Sequence, residues 1–193
     1  MKRICVFCGS NFGLRPAYVT AAKVMGQALV KRGLGLVYGG GNVGLMGVIA
    51  DEVKSLGGEV IGVIPQALAE KELAHTDLSD LHVVKSMHER KALMADLSDG
   101  FIAMPGGYGT FEEFCEVLTW AQLGFHRKPC GLLNVEGYYS PMLILFDHAV
   151  IEGFVREQHR PLVLTDDDPG CLLDMFENYK PQHLEKWIDR SET

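Results

Sequence analysis

The sequence is poor in positive charge and in long apolar runs. Its 193 residues include 18 Lys and Arg against 25 Asp and Glu, which gives a formal net charge of −7. This balance does not offer the broad basic surface that nucleic acid or an anionic membrane requires, so we expect neither partner. Because no run approaches the roughly 18 to 20 apolar residues of a membrane-spanning helix, we expect a cytoplasmic protein.

Motifs for metal binding and for triphosphate hydrolysis are also missing. Cys5 and Cys8 form a C-x-x-C pair, but in a strand residues three apart point to opposite faces, so they should share neither a zinc ion nor a disulfide. Cys115, Cys130 and Cys171 have no Cys or His at metal-ligand spacing. We therefore predict no metal and no cofactor. The chain also has no G-x-x-x-x-G-K-[ST] motif, which disfavours hydrolysis of nucleoside triphosphates.

Short apolar runs alternate with amphipathic stretches along the whole chain. This order predicts an α/β fold in which a doubly wound parallel sheet is sandwiched between helices. We expect one domain over residues 1–180 and a C-terminal tail over 181–193. The predicted strands are Arg3–Cys8, Gly35–Tyr38, Glu59–Ile64, His82–Val84, Gly100–Met104, Cys130–Asn134 and Pro161–Leu164. The predicted helices are Pro16–Arg32, Gly44–Leu56, Met87–Leu97, Thr110–Leu123, Tyr139–Glu152 and Pro169–Asn178.

A glycine-rich turn follows the predicted strand at 100–104. Residues 105–113 read P-G-G-Y-G-T-F-E-E, so a strand leads through Gly106, Gly107 and Gly109 into a helix start near Thr110. Free N–H groups at such a start attract an anion, and glycines let the backbone approach it closely. Glu113 is expected in the first helical turn, close to a bound phosphate ester. The turn therefore predicts both a phosphate site and a carboxylate able to act on the attached group.

A second glycine-rich loop follows the predicted strand at 35–38. Gly39, Gly41 and Gly44 fit G-x-G-x-x-G, the dinucleotide-binding pattern, but the acidic residue expected at the end of the next strand is missing, because Glu59 begins that strand. The three consecutive glycines also fit a loop that passes beneath a ligand or a helix. Ligands bind at the carboxyl ends of parallel strands, so this loop and Gly9–Ser10 should lie near the 105–113 turn.

A mixed cationic and thioether face is predicted on the helix at 87–97. Met87, Arg90, Lys91 and Met94 are three and four residues apart and share one side of that helix. Cations near a helix N-terminus are unfavourable unless an anion is near, which places the phosphate turn beside them. The alternative is that Arg90 and Lys91 are solvated surface residues.

Together these motifs resemble the Lonely Guy (LOG) family of cytokinin riboside 5′-monophosphate phosphoribohydrolases, often labelled lysine decarboxylases. The resemblance rests on P-G-G-x-G-T-x-x-E at 105–113, Met87-x-x-Arg90-Lys91, and the loops at 7–10 and 38–40. It implies a Rossmann-like homodimer that hydrolyses the N-glycosidic bond of a nucleoside 5′-monophosphate. It also implies Arg90 and Glu113 as the catalytic pair. The implied substrate contacts are Glu72, Met87, Lys91, Gly107, Tyr108, Gly109, Thr110, Phe111, Glu112 and Thr119, with Gly9, Ser10, Gly40, Gly41 and Glu116 as additional candidates.

The residue chemistry fits this reaction. Cleaving the bond between C1′ and the base builds positive charge on the ribose, which an ionised Glu113 would stabilise; the helix start should favour that ionised form. Arg90 keeps its proton, so it would position Glu113 or bind substrate oxygens. Glu112 reads as a solvated residue without the resemblance. Glu116 fits a contact with ribose hydroxyls and a bond to a neighbouring helix about equally well.

Three other functions fit parts of the sequence. A non-catalytic nucleotide-binding or carrier protein would use the same loops, but would not need the Arg90 and Glu113 pair. A lysine decarboxylase would need a pyridoxal phosphate Schiff-base lysine, for which no lysine-centred motif is present. A dinucleotide-dependent oxidoreductase is disfavoured by the missing acidic residue.

Overall fold

The computed structural model describes residues 1–69, 75, 78 and 80–181. Within them, seven strands form one sheet in which every neighbouring pair is parallel, in the order β4-β3-β2-β1-β5-β6-β7. Nearly continuous apolar sequence makes most of these strands fully buried, as expected for a sheet covered on both faces. The strands are β1 (Arg3–Phe7), β2 (Gly35–Tyr38), β3 (Val60–Pro65), β4 (Asp80–Val84), β5 (Gly100–Ala103), β6 (Cys130–Leu133) and β7 (Val163–Asp166).

Helices cover both faces of the sheet. One core cluster joins the sheet to α1, α2 and α7, and the other joins it to α4 and α5, with α6 packed outside. Within the described part of the chain, no helix combines the length and apolar character needed to cross a membrane. The helices are α1 (Pro16–Lys31), α2 (Gly44–Ser55), α3 (Gln66–Ala69), α4 (Met87–Leu97), α5 (Tyr108–Gln122), α6 (Ser140–Ile151) and α7 (Pro169–Glu177), with 3₁₀ turns at Val135–Gly137 and Glu157–Leu162.

The order of the strands places a crevice between β1 and β5. The chain winds outward from β1 through β2, β3 and β4, then returns to pair β5 with the other side of β1. At such a switch point the loops after the two strands diverge, which opens a ligand site at their carboxyl ends. The loops that carry Gly9 and the P-G-G turn both begin at this point.

The fold prediction is confirmed, and several element boundaries are corrected. The last strand begins at Val163 instead of Pro161, because Pro161 has no N–H for a sheet ladder and ends up in the 3₁₀ turn before it. Helix α5 begins at Tyr108, two residues earlier than predicted, so Glu113 lies in its second turn. Cys5 and Cys8 are both buried and belong to different core clusters, as their spacing predicts.

Candidate active site

Three loops and one helix meet at the carboxyl edge of the sheet. The Gly9 N–H donates to the Pro105 carbonyl (3.1 Å), and the Leu45 N–H at the start of α2 donates to the Gly9 carbonyl (3.0 Å). Arg90 of α4 reaches the same edge through the carbonyls of Gly39 and Val63. The predicted convergence of these loops is therefore confirmed.

The start of α5 is pinned on one side and open on the other. Gly106 is tightly packed. Its carbonyl accepts a hydrogen bond from the Tyr138 hydroxyl, and a Cβ at this position would collide with Thr110 and Gly9. At Gly107 and Gly109, a Cβ would meet no atom of the described residues within 4 Å. The first N–H groups of a helix have no partner within it, so this start presents free donors to open space.

Arg90 is a buried cation held from three directions. Its helix is capped by Ser86, whose hydroxyl accepts from the Glu89 N–H (3.1 Å). The guanidinium Nε donates to the Val63 carbonyl (3.0 Å), Nη2 donates to the Gly39 carbonyl (3.3 Å), and Nη1 lies 3.3 Å from Glu113 Oε1. Neither carbonyl contact is predicted by the sequence, in which the run of three glycines at 39–41 is the sign of a close approach.

Glu113 lies beside Arg90 and is largely covered, with only 12% of its side chain exposed. Burial raises its pKa above the ordinary value, and the cations of Arg90 and Lys91 oppose that rise. This corrects the expectation that the helix start favours its ionised form, because Glu113 lies one turn further in and desolvation dominates there. The result is a carboxylate with raised basicity, fixed against a cation.

Lys91 joins α4 to α5 through two carboxylates. Its Nζ lies 2.6 Å from Glu112 Oε1 and 3.0 Å from Glu116 Oε1. Burial opposes the charge of Lys91, but the two carboxylates outweigh it and raise its pKa. Of the two roles considered for Glu116, the bond to a neighbouring helix is observed for Oε1; Oε2 is buried and has no hydrogen-bond partner among the described residues.

The other predicted substrate-contact residues on α4 and α5 differ in how close they lie to Arg90 and Glu113. Met87 is close, with its sulfur 3.9 Å from Arg90 Nη1, and Tyr108 is exposed at the helix start. Phe111 packs against Tyr139, its ring centroid 6.2 Å away. Thr119 lies six residues beyond Glu113, where its hydroxyl donates to the Cys115 carbonyl (2.7 Å) on an exposed part of α5. The structure does not bring Thr119 to the pair.

The glycine candidates divide into packed and open positions. Gly40 and Gly41 are buried, Gly40 against Val63 and Ile64 of β3. Gly9 and Ser10 line a cleft of about 290 Å³ at the switch point, together with Tyr18 and Tyr138. Glu72 lies outside the described residues.

A larger cleft of about 400 Å³ runs between α4 and α5. Lys91 and Glu116 line one part of it, and Ala92, Ala95 and Trp120 form an apolar wall. Nowhere in residues 1–69, 75, 78 and 80–181 do three or more His, Cys, Asp or Glu side chains cluster so that they could hold a metal ion.

Comparisons with known proteins agree on one family. A family profile described as "Possible lysine decarboxylase" matches residues 46–176. Cytokinin riboside 5′-monophosphate phosphoribohydrolase LOG7 of Arabidopsis thaliana is 50% identical over 181 residues, 94% of this chain and 83% of its own. The phosphoribohydrolase LOG of Oryza sativa subsp. japonica is 49% identical over 182 residues, 94% of this chain and 75% of its own. The chain belongs to the LOG family.

Solved structures share the fold of this LOG chain at lower identity. The molybdenum cofactor carrier protein of Chlamydomonas reinhardtii matches with a TM-score of 0.69 at 21% identity, over 91% of this chain and 96% of its own. The molybdenum cofactor binding protein of Rippkaea orientalis matches with a TM-score of 0.68 at 21% identity, over 92% and 97%. These likenesses show the Rossmann-like fold alone.

The decarboxylase description of the family profile does not fit the lysine at this site. A Schiff-base lysine needs a lowered pKa so that its amine is free to react. Lys91 has a raised pKa because Glu112 and Glu116 hold it as a cation. The LOG relatives carry the phosphoribohydrolase name, which agrees with the Arg90 and Glu113 pair.

Proposed function

We propose that the protein hydrolyses the N-glycosidic bond of cytokinin riboside 5′-monophosphates, of AMP, or of both. The products are a free adenine-type base and ribose 5-phosphate. The observation that carries the proposal is the ion pair of Arg90 on α4 and Glu113 on α5, 3.3 Å apart, beside the open start of α5 that fits a phosphate. The names of the relatives support this substrate class.

The open start of α5 would bind the substrate phosphate. The N–H groups of Tyr108, Gly109 and Thr110 precede the first hydrogen bond within the helix, which the Phe111 N–H donates to the Gly107 carbonyl (3.1 Å). A phosphate dianion there gains hydrogen bonds and the favourable end of the helix dipole. The ribose would then lie over the next turn, where Glu113 is.

Glu113 would act on the ribose ring. As the bond breaks, positive charge builds up on the ring and negative charge on the leaving base. Ionised Glu113 stabilises the ring and orients water, so that hydroxide adds to C1′ while the base nitrogen gains a proton. Arg90 stays protonated, and it holds Glu113 in place as a charged partner. The raised basicity of Glu113 suits the task of polarising water.

Chromatography of reaction mixtures tests the proposal directly. Purified protein is incubated separately with AMP and with N6-isopentenyl AMP, and the mixtures are assayed for free base and ribose 5-phosphate. Release of base supports the phosphoribohydrolase, and the ratio of the two rates ranks the substrates. If both nucleotides bind but neither is cleaved, the alternative of a non-catalytic nucleotide-binding protein replaces it.

The homodimer is the second part of the proposal. None of the twelve residues of α6, all described, is fully buried, although the helix is mostly apolar. Ile144 is 68% exposed, Ile151 79% and nearby Phe154 87%, so they form one apolar surface. A second copy would cover this surface. The cytoplasmic location and the absence of nucleic-acid and membrane partners stay predictions from composition.

Sedimentation of designed variants tests the dimer. Ile144→Asp places a charge in the proposed interface and should shift the protein from dimer to monomer. Leu56→Asp is the control, because Leu56 is an exposed apolar residue at the end of α2, which packs on the other face of the sheet from α6. A monomeric wild-type protein would show that the dimer proposal is wrong.

A further inference from the structure

The guanidinium of Arg90 is oriented by main-chain carbonyls at the ends of two neighbouring strands. Gly39 directly follows β2 and Val63 lies in β3; their carbonyls accept bonds of 3.3 and 3.0 Å from Arg90 Nη2 and Nε. The planar guanidinium fixes its donors relative to one another. With Nε and Nη2 held, Nη1 is directed to Glu113.

Gly39 lies directly against this guanidinium. A Cβ built on Gly39 would come well under 3.0 Å from Arg90 Nη2 and 3.3 Å from the Met46 sulfur. Gly39 is not among the glycines with positive φ, so its backbone conformation is open to any residue. The neighbouring guanidinium, and not the turn, is therefore what excludes a side chain at this position.

We infer that Gly39 is a positioning residue for the reaction, acting through Arg90. Because Gly39 has no side chain, Arg90 Nη2 can donate to the Gly39 carbonyl. This bond orients Nη1 toward the Glu113 carboxylate, 3.3 Å away. The inference rests on the proposed function for its catalytic part. The coupling between Gly39 and Arg90 stands independently of it.

A double-mutant cycle on stability tests that coupling without any turnover. Gly39→Ala pushes the guanidinium off both carbonyls, and we expect the midpoint of thermal unfolding to fall by about 2–4 °C or more. In the Arg90→Ala background the same substitution should have no effect, because the new methyl group enters space that the guanidinium has left. Equal losses in both backgrounds would overturn the inference and give Gly39 a purely structural role.

The cycle remains decisive if Gly39→Ala alone fails to fold. The double variant Gly39→Ala with Arg90→Ala removes the collision and should fold as Arg90→Ala does. If the double variant also fails to fold while Arg90→Ala folds, the cause is not the guanidinium, and the inference is wrong.

Kinetics of Gly39→Ala test the catalytic part. We expect kcat to fall about a hundredfold with little change in KM, because the phosphate site is intact and the reacting groups are misaligned. Arg90→Ala alone should abolish turnover. An unchanged kcat in folded Gly39→Ala would overturn the positioning role. If the wild-type protein releases no base, the proposed function fails, while the stability cycle still decides the coupling.

The pH profile of the same variant separates positioning from general damage. Glu113 faces Arg90 and Lys91 from α4, Glu112 and Glu116 from α5, and the thiols of Cys5 in β1 and of Cys8 directly after it. The positive charge of Arg90 lowers the pKa of Glu113, so displacing Arg90 should raise that pKa. The acid limb of kcat should therefore move to higher pH in Gly39→Ala, and an unmoved limb would contradict positioning through Arg90.

Discussion

Two glycine-rich loops at the same sheet edge, each leading into a helix, have opposite surroundings. The loop at 39–44 is filled by protein: Arg90 covers Gly39, and the start of α2 presses against Ser10 and donates to the Gly9 carbonyl. The loop at 105–109 is open, since no described atom occupies the space beside Gly107 and Gly109. Both loops satisfy sequence patterns for phosphate binding, but only the second leaves room for a phosphate.

The difference shows what a glycine motif alone does not specify. A glycine is needed wherever backbone comes close to something, whether that is a ligand, a side chain or another loop. In the loop at 39–44 the neighbour is the protein itself, which argues against a bound dinucleotide at that loop. In the open loop the neighbour is missing from the chain, which is the arrangement that a substrate would complete.

The largest effect in this comparison is expected at Gly44. Its φ is +57°, and a Cβ would collide with the backbone of Ser10. Gly44→Ala should lower the free energy of unfolding by about 3 kcal/mol, measured by urea denaturation. Gly57→Ala is the control, because its φ is +76° but its Cβ meets no described atom within 4 Å. Equal losses in the two variants would mean that the 39–44 loop is not closed against Ser10.

A smaller effect of a different kind is expected at Gly109. Alanine in its helical position should leave stability unchanged or raise it by up to about 1 kcal/mol. Its methyl group would enter the space proposed for the phosphate, so KM should rise about tenfold, equivalent to about 1.4 kcal/mol. Gly170→Ala, in the first turn of α7, is the control for helix propensity. An unchanged KM in Gly109→Ala would show that no ligand uses the open loop.

The smallest effect is the pH dependence of kcat. In the proposed mechanism Glu113 acts in its ionised form, and burial raises its pKa above the ordinary value. Activity should therefore fall as the pH drops through that raised pKa, at higher pH than an ordinary glutamate would give. The free energy of unfolding changes in the opposite direction with pH. Because the site favours protonated Glu113, the stabilisation from that form is lost as the pH rises through the raised pKa. An acid limb at the ordinary glutamate value would contradict this assignment.

Much of the fold could be predicted because its signals are local. A short apolar run indicates a buried strand, as at Val60–Ile64, and a capping residue indicates a helix start, as at Ser86 before Met87–Leu97. The start of β7 was mispredicted because Pro161 continues an apolar run but cannot pair in a sheet. The alternation of strands and helices was enough to predict a doubly wound parallel sheet, although not the order of its strands.

The residues proposed for the site stand out in the sequence, but the contacts between them do not. The pattern at 105–113 and the pair of cations at 90 and 91 stand out in the sequence. The bond between Arg90 and the Gly39 carbonyl joins positions 51 residues apart, and nothing local encodes it. The raised pKa of Glu113 likewise depends on burial by other elements, which the position of Glu113 in its helix does not reveal.

The most direct test of the central claim compares nucleotide binding with base release in Glu113→Gln. Glutamine keeps the size of the side chain and an oxygen for Arg90, so the variant should fold and bind AMP in calorimetric titration. Its base release should fall by at least about a hundredfold, while Glu52→Gln, at a helix carboxylate outside the site, keeps the wild-type rate. Near-normal release by Glu113→Gln would contradict the assignment of Glu113 as the group that acts on the ribose.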